Sequence, residues 1–317
     1  MQPIIDDILD LIQYCNGSSS TKWGTKRVEN GHPKPYNLKY IEIGNENGWE
    51  TAGDYNPRYS MIHDSILAHY PGMKIMYNGF RQDNVMSHTS GNSVDYVDEH
   101  FYLKDLSGLY NKYDTIDPAC KKICVAEYAS SIKGNGGNVI GNFGDALGDA
   151  VFMLGCEKNS ARMWWTGYGN YAGLIGHGNF GPCIVWNDAV TNFASPSYYM
   201  QKMLFTDNSG TNILPFTQSS TGCFWSVSVD IESGKSDILL KVANNKAIPE
   251  VVSVVLKGTV NIDPIGKYSS LAAALETENS INEPTKVVPE TGTFSACQIF
   301  NYTIPGNSIT VLRLHYK

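Results

Sequence analysis

Apolar residues near the start of the chain recur at helical spacing. Ile4, Ile5, Ile8, Leu9, Leu11 and Ile12 fall on one stripe, and Gly17 ends it. A stretch rich in Ser, Gly and Pro then reads as a loop to about residue 37. Beyond it, short apolar runs alternate with helical stretches. The runs lie at 39–45, 74–79, 95–102, 122–129 and 162–168. Between the first two, Met61, Ile62, Ser65, Ile66 and His69 carry a helical period that Pro71 stops. "GDALGDAVFMLGCEKNS" predicts another helix ahead of the last run. Strands separated by helical crossovers predict parallel β/α units. From about residue 206 the period drops to two. "CFWSVSVDIES", "SDILLKVANN", "VVSVVLKGTV" and "SITVLRLHYK" predict an antiparallel β-sandwich. Within that part only "LAAALETE" (271–278) has a helical look. The expected division is an α/β domain over residues 1–205 and an all-β domain over 206–317.

Composition narrows the partners. The net charge of -7 has the wrong sign for a phosphate-binding surface, so nucleic acid is not expected. No apolar run reaches the ~18 residues of a membrane span. The 19 Tyr and 6 Trp suit either sugar binding or a large core. The seven cysteines are scattered and odd in number. Cys120 and Cys124 lack a second pair, so free thiols are expected, with no metal site and no cofactor. The N-terminal helix has acids where a signal peptide needs bases, which leaves the compartment open, since any export signal would lie upstream of Met1.

Candidate chemistry sits where the apolar runs end. In "YIEIGNENGWE" (40–50), alternation places Tyr40, Glu42, Gly44 and Glu46 on one face, with Ile41 and Ile43 on the other. In a β/α barrel the carboxyl ends of strands form the active site. On spacing alone, a Glu there reads more often as a solvated loop residue. Glu127 in "CVAEYAS" repeats the design three strands later. Two such acids match the paired carboxylates of glycoside hydrolysis, one giving a proton and one attacking carbon. His100 alone reads as a core histidine, and Trp49 as either a packing residue or a sugar wall.

The ordered set "KYIEIGNENG", "DYVDEHFY", "VAEYAS", "GCEKNS" and "SPSYYMQKMLF" resembles glycoside hydrolase family 51, the α-L-arabinofuranosidases. "WGTKRVENGHPKPYNLKYIEIGNE", "ENSINEPTKVVP" and "IPGNSITVLRL" extend the likeness over nearly the whole chain. The resemblance implies a retaining enzyme that removes terminal α-L-arabinofuranosyl groups from arabinose-containing polysaccharides or oligosaccharides. It implies Glu46 as acid/base, Glu127 as nucleophile, and Asn45 as the amide on the sugar 2-hydroxyl. His100 and Tyr102 match the pair on the family's sixth strand, with the Tyr hydroxyl near the nucleophile. By analogy with the family, a homo-oligomer is also an expectation.

The resemblance further implies three β/α units before the helix that opens this chain. The fold expected here is therefore a partial (β/α)8 TIM-type barrel of about five units, followed by the β-sandwich. Five strands cannot close such a barrel, so weak or absent activity is expected of residues 1–317 alone. Two rival readings remain from residues alone: another retaining barrel glycosidase such as an endo-glucanase or xylosidase, and a non-catalytic carbohydrate-binding remnant.

Overall fold

The computed structural model describes residues 1–47, 52–79, 94–116, 122–132, 140–177, 181–219, 222–232, 236–258 and 261–317. The chain forms two compact units: residues 1–100 with 118–126, and residues 101–117 with 127–317.

The first unit opens with α1 (Gln2–Asn16), whose Ile5 and Ile12 are buried as the apolar stripe requires. A short helix, α2 (Lys22–Glu29), follows inside the expected loop. It has no apolar stripe to betray it. It is started by Thr21, whose hydroxyl accepts from the Gly24 N–H, and held by buried Arg27. The Arg27 guanidinium donates to the carbonyls of Tyr14, Gly17 and His32, so it replaces a core with hydrogen bonds.

Strand β1 (Tyr40–Ile43), helix α3 (Ala52–His69) and strand β2 (Lys74–Asn78) make a β/α/β crossover. β1 and β2 are parallel, with Glu42 opposite Met76. β2 is parallel to β3 (Tyr96–Leu103), with Asn78 opposite Asp98. The start of β4 (Lys122–Ser130) lies beyond β3 in the sheet order. Ile43, Tyr55, Tyr59, Ile62, Ile66, Ile75, Tyr77 and Val97 join the α1 isoleucines in one core. This is the covered face that a parallel sheet needs.

In the second unit the ends of β3 and β4 are followed in the sheet by β5 (Met163–Tyr168). Helix α4 (Phe143–Lys158) connects β4 to β5. Residues 143–156 of α4 are all buried, so it is a core helix rather than an amphipathic one. Its start is fixed by a reciprocal cap, in which Asn142 accepts from the Asp145 N–H and Asp145 from the Asn142 N–H. Three short strands, β6 (Ala172–Leu174), β7 (Val185–Asn187) and β8 (Asn192–Ala194), form a small sheet over Trp186 and Phe193. Helix α5 (Pro196–Gln201) leads onward.

The remainder is antiparallel. Its strands are β9 (Asn212–Ile213), β10 (Phe224–Asp230), β11 (Asp237–Asn244), β12 (Glu250–Val255), β13 (Ile265–Ala272), β14 (Glu290–Ser295), β15 (Ile299–Ile304) and β16 (Ser308–His315). One sheet runs β14-β13-β16-β11-β10-β9, and β12 pairs with β15 in another. Val227, Leu240, Leu312 and Leu314 of the first pack with Phe300, Val254 and Tyr302 of the second. That interdigitation is a β-sandwich. The segment 271–278, which has a helical look in the sequence, forms no helix. Leu271 and Ala272 instead finish β13, paired with Ile309 and Ser308 of β16, and a turn follows. Cross-strand pairing outweighs the helical propensity of Leu and Ala there.

Tyr110 ties α4's side of the unit to β10, donating to the Trp225 carbonyl and accepting from its N–H. Lys241 of β11, fully buried, pairs with Glu157 of α4. Among the described residues no disulfide joins Cys15, Cys124, Cys156, Cys183, Cys223 or Cys297, and no helix is long and apolar enough to cross a membrane.

Candidate active site

Glu46 does not sit on the strand that strict alternation would give it. β1 stops at Ile43, and Gly44 turns the chain with φ of +90°. Only glycine adopts that geometry freely. A Cβ at Gly44 would also lie 2.0 Å from Asn47 Oδ1, the atom that accepts from the Asn45 N–H and closes the turn. Glu46 itself is left-handed, with φ of 54°. Such a conformation costs a non-glycine residue roughly 1–2 kcal/mol. The turn is anchored by Tyr55 of α3, which donates to the Ile43 carbonyl (2.6 Å) and accepts from the Asn78 N–H (2.9 Å). One phenol thus holds the ends of β1 and β2.

His100 receives Glu46. Its Nδ1 is 3.0 Å from Glu46 Oε1, and its Nε2 is 2.7 Å from Asp98 Oδ2. The ring and Asp98 are fully buried, and Glu46 is half-buried. Asp98 is held further by the Ala126 N–H, which donates to Oδ1 at 2.7 Å. The Asn78 amide donates to Glu42 Oε1 (2.8 Å) and toward Asp98 Oδ2 (3.4 Å). Burial and the Asp98 charge push the Glu42 carboxyl up to about 7, against the opposing pull of Asn78 and His100.

In the second unit Tyr102 donates to Glu127 Oε2 at 2.5 Å. Tyr102 is 9% exposed, so its hydroxyl has lost water and gained a carboxylate. The Gly169 N–H, just past β5, donates to the Tyr128 carbonyl and brings that backbone against the Tyr102 ring.

The sequence-derived residues therefore group as Glu46 with His100, and Tyr102 with Glu127. Asn45 is exposed on the Gly44 turn. Trp49 lies outside the described residues. Sequence reasoning did not single out Asp98, Asn78 or Glu42 as site residues. The signal was present for two of them: Asp98 precedes His100 by two on one strand, and Glu42 shares a face with the strand end.

The fold has close counterparts. The arabinose-bound MgGH51 α-L-arabinofuranosidase superposes with a TM-score of 0.88 at 22% identity, over 99% of this chain and 51% of that one. The Thermotoga maritima α-L-arabinofuranosidase in its arabinose complex gives 0.81 at 18% identity, over 98% and 73%. By architecture this is the α/β-plus-β-sandwich class of those glycosidases. By sequence, residues 1–120 match the α-L-arabinofuranosidase 1 domain and residues 126–308 the α-L-arabinofuranosidase C-terminal domain. The chain belongs to the α-L-arabinofuranosidase family of glycoside hydrolase 51 type. α-L-Arabinofuranosidase 1 of Arabidopsis thaliana is 30% identical over 298 residues, 91% of this chain and 42% of that protein. α-L-Arabinofuranosidase A of Aspergillus kawachii is 29% identical over 98% of this chain and 48% of that protein. The chain thus spans about half the length of the curated relatives it matches.

Proposed function

We propose that the protein is a retaining exo-glycosidase releasing terminal α-L-arabinofuranosyl residues from arabinose-containing polysaccharides or oligosaccharides. Its residues 1–205 would contribute part of a (β/α)8 barrel, with 206–317 as the sandwich domain. In the first step the Glu127 carboxylate attacks the anomeric carbon. The glycosidic bond breaks, and Glu46 gives its proton to the leaving oxygen. In the second step Glu46 takes a proton from water, water attacks the same carbon, and the ester to Glu127 is cleaved to release arabinose. Asn45 would hold the sugar 2-hydroxyl, Trp49 would wall the sugar, and no cofactor or metal enters the scheme.

The observation that carries this reading is the unlike company of the two carboxylates. Glu127 accepts from the phenol of Tyr102, whereas Glu46 faces the imidazole of His100. A carboxylate pair divides its labour when its environments differ.

The test is hydrolysis of an aryl α-L-arabinofuranoside by the purified protein. Glu46→Ala is expected to lose about 10²–10⁴-fold, and Glu127→Ala more. Added azide separates the roles. It should attack the sugar directly in Glu127→Ala and give the inverted glycosyl azide. In Glu46→Ala it should replace water on the ester and give the retained one. An unchanged rate in Glu127→Ala would remove the nucleophile and the proposal.

A further inference from the structure

Behind Glu46 lies a second acidic pair that the two-carboxylate scheme does not use. Glu42 on β1 and Asp98 on β3 are bridged by the Asn78 amide nitrogen, 2.8 Å from one carboxylate oxygen and 3.4 Å from the other. Asp98 is fully buried and Glu42 half-buried. Asp98 has its own donors: the Ala126 N–H at Oδ1, and His100 Nε2 and Asn78 at Oδ2. A carboxylate with three donors is the better place for a negative charge. Among the described residues Glu42 has one donor within hydrogen-bond distance, the Asn78 amide, and it faces that charge.

We propose that Glu42 is kept as an un-ionised carboxylic acid hydrogen-bonded to the Asp98 carboxylate, and that this acid pair positions His100, which in turn holds Glu46. The inference rests on Glu46 being the acid/base. Asp98 fixes the Nε2–H of His100, because a carboxylate on that side only accepts. Nδ1 is then left as an acceptor 3.0 Å from Glu46 Oε1, where it takes the hydrogen bond of the Glu46 acid until that proton passes to the leaving oxygen. Ionising Glu42 would put a second negative charge beside Asp98. That charge would favour the imidazolium form of His100, whose Nδ1–H could no longer accept the hydrogen bond of the Glu46 acid.

The groups facing Glu42 among the described residues agree with this. Asp98 and His100 come from β3, Asn78 from β2 and Tyr55 from α3. Burial together with Asp98 raises the Glu42 carboxyl to about 7, and His100 offsets that only in part. Tyr55 is itself raised by burial and stays neutral. Glu42 and Asp98 are therefore positioning residues, acting through His100.

Two readouts test the pair. The first is ¹⁵N NMR of the imidazole of His100, assigned by its loss in His100→Asn, and it needs no turnover. Wild type should show a pH step near 7 at His100. Glu42→Gln, which has the same shape and cannot ionise, should lack it, and Glu42→Asp should keep a step at a shifted pH. The second is the pH profile of kcat on an aryl α-L-arabinofuranoside. The alkaline limb of Glu42→Gln should move up by about one pH unit or more, while Asp98→Asn should lower kcat at least about tenfold at every pH. Identical His100 titrations in wild type and Glu42→Gln would overturn the proposal. An NMR step without any arabinofuranoside hydrolysis would defeat the assigned activity and leave the acid pair standing.

Discussion

Gly169 leaves the volume that the Tyr102 phenol occupies. A Cβ at Gly169 would lie 2.0 Å from the Tyr102 hydroxyl and 2.5 Å from its ring carbon Cζ. The same hydroxyl donates to Glu127 at 2.5 Å, so the absence of a side chain after β5 lets this phenol reach its carboxylate.

Gly169→Ala should therefore act through Tyr102. The methyl pushes the phenol off Glu127, and displacements near 1 Å cost on the order of 10²-fold in rate. The expected result is a fall of roughly 10–100-fold in kcat, with a stability loss of about 1–3 kcal/mol from overpacking. A double-mutant cycle with Tyr102→Phe checks the route. The two losses should overlap strongly rather than multiply.

Lys241 and Glu157 form a buried pair joining β11 to α4. Burial alone pulls the lysine below its ordinary range, and Glu157 pulls it back. Lys241→Ala would leave the acid without its cation and should cost about 3–5 kcal/mol by chemical denaturation. Lys241→Met with Glu157→Leu should recover most of that loss, because the desolvation cost of both charges disappears together.

Asp149 of α4 is fully buried, and burial pushes its carboxyl up to about 8 despite hydrogen bonds from the Ser130 N–H and the Ser197 hydroxyl. The unfolded carboxyl titrates near ~3.9. Its neutral folded form thus contributes most below pH ~4, and that contribution is lost as pH rises toward about 8. Wild-type protein should lose stability relative to Asp149→Asn across that interval and no further above it. Melting temperatures of the two at pH 5, 7 and 9 would decide it, and parallel curves would contradict it.

Much of this molecule was legible in its sequence where one periodicity prevails. The apolar runs at 74–79 and 122–129 became β2 and β4 within one residue at each end. The period-two segments after residue 206 became strands β10, β11, β12 and β16. What escaped was structure held by polar bonds. Helix α2 depends on Arg27 and the carbonyls it bonds, which leave no stripe to read. β13 and β14 break their apolar positions with Gly, Ser and Thr, and β15 is a short run interrupted by Asn301 and Thr303. At the site, alternation through Gly44 suggested a strand residue at Glu46, whereas a left-handed turn presents it. The partner Asn78 became visible only once the parallel register set it opposite Asp98.

That register has a genetic consequence. Asp98, His100 and Tyr102 occupy alternate positions of β3, so their orientation is counted in residues rather than shaped by any one of them. Substitution can remove a single function from this strand, but one codon inserted or deleted within β3 ahead of Asp98 would turn all three toward the opposite surface at once. Libraries that vary length through this segment should yield no active clones, while those that vary identity at Val97 or Phe101 should yield many.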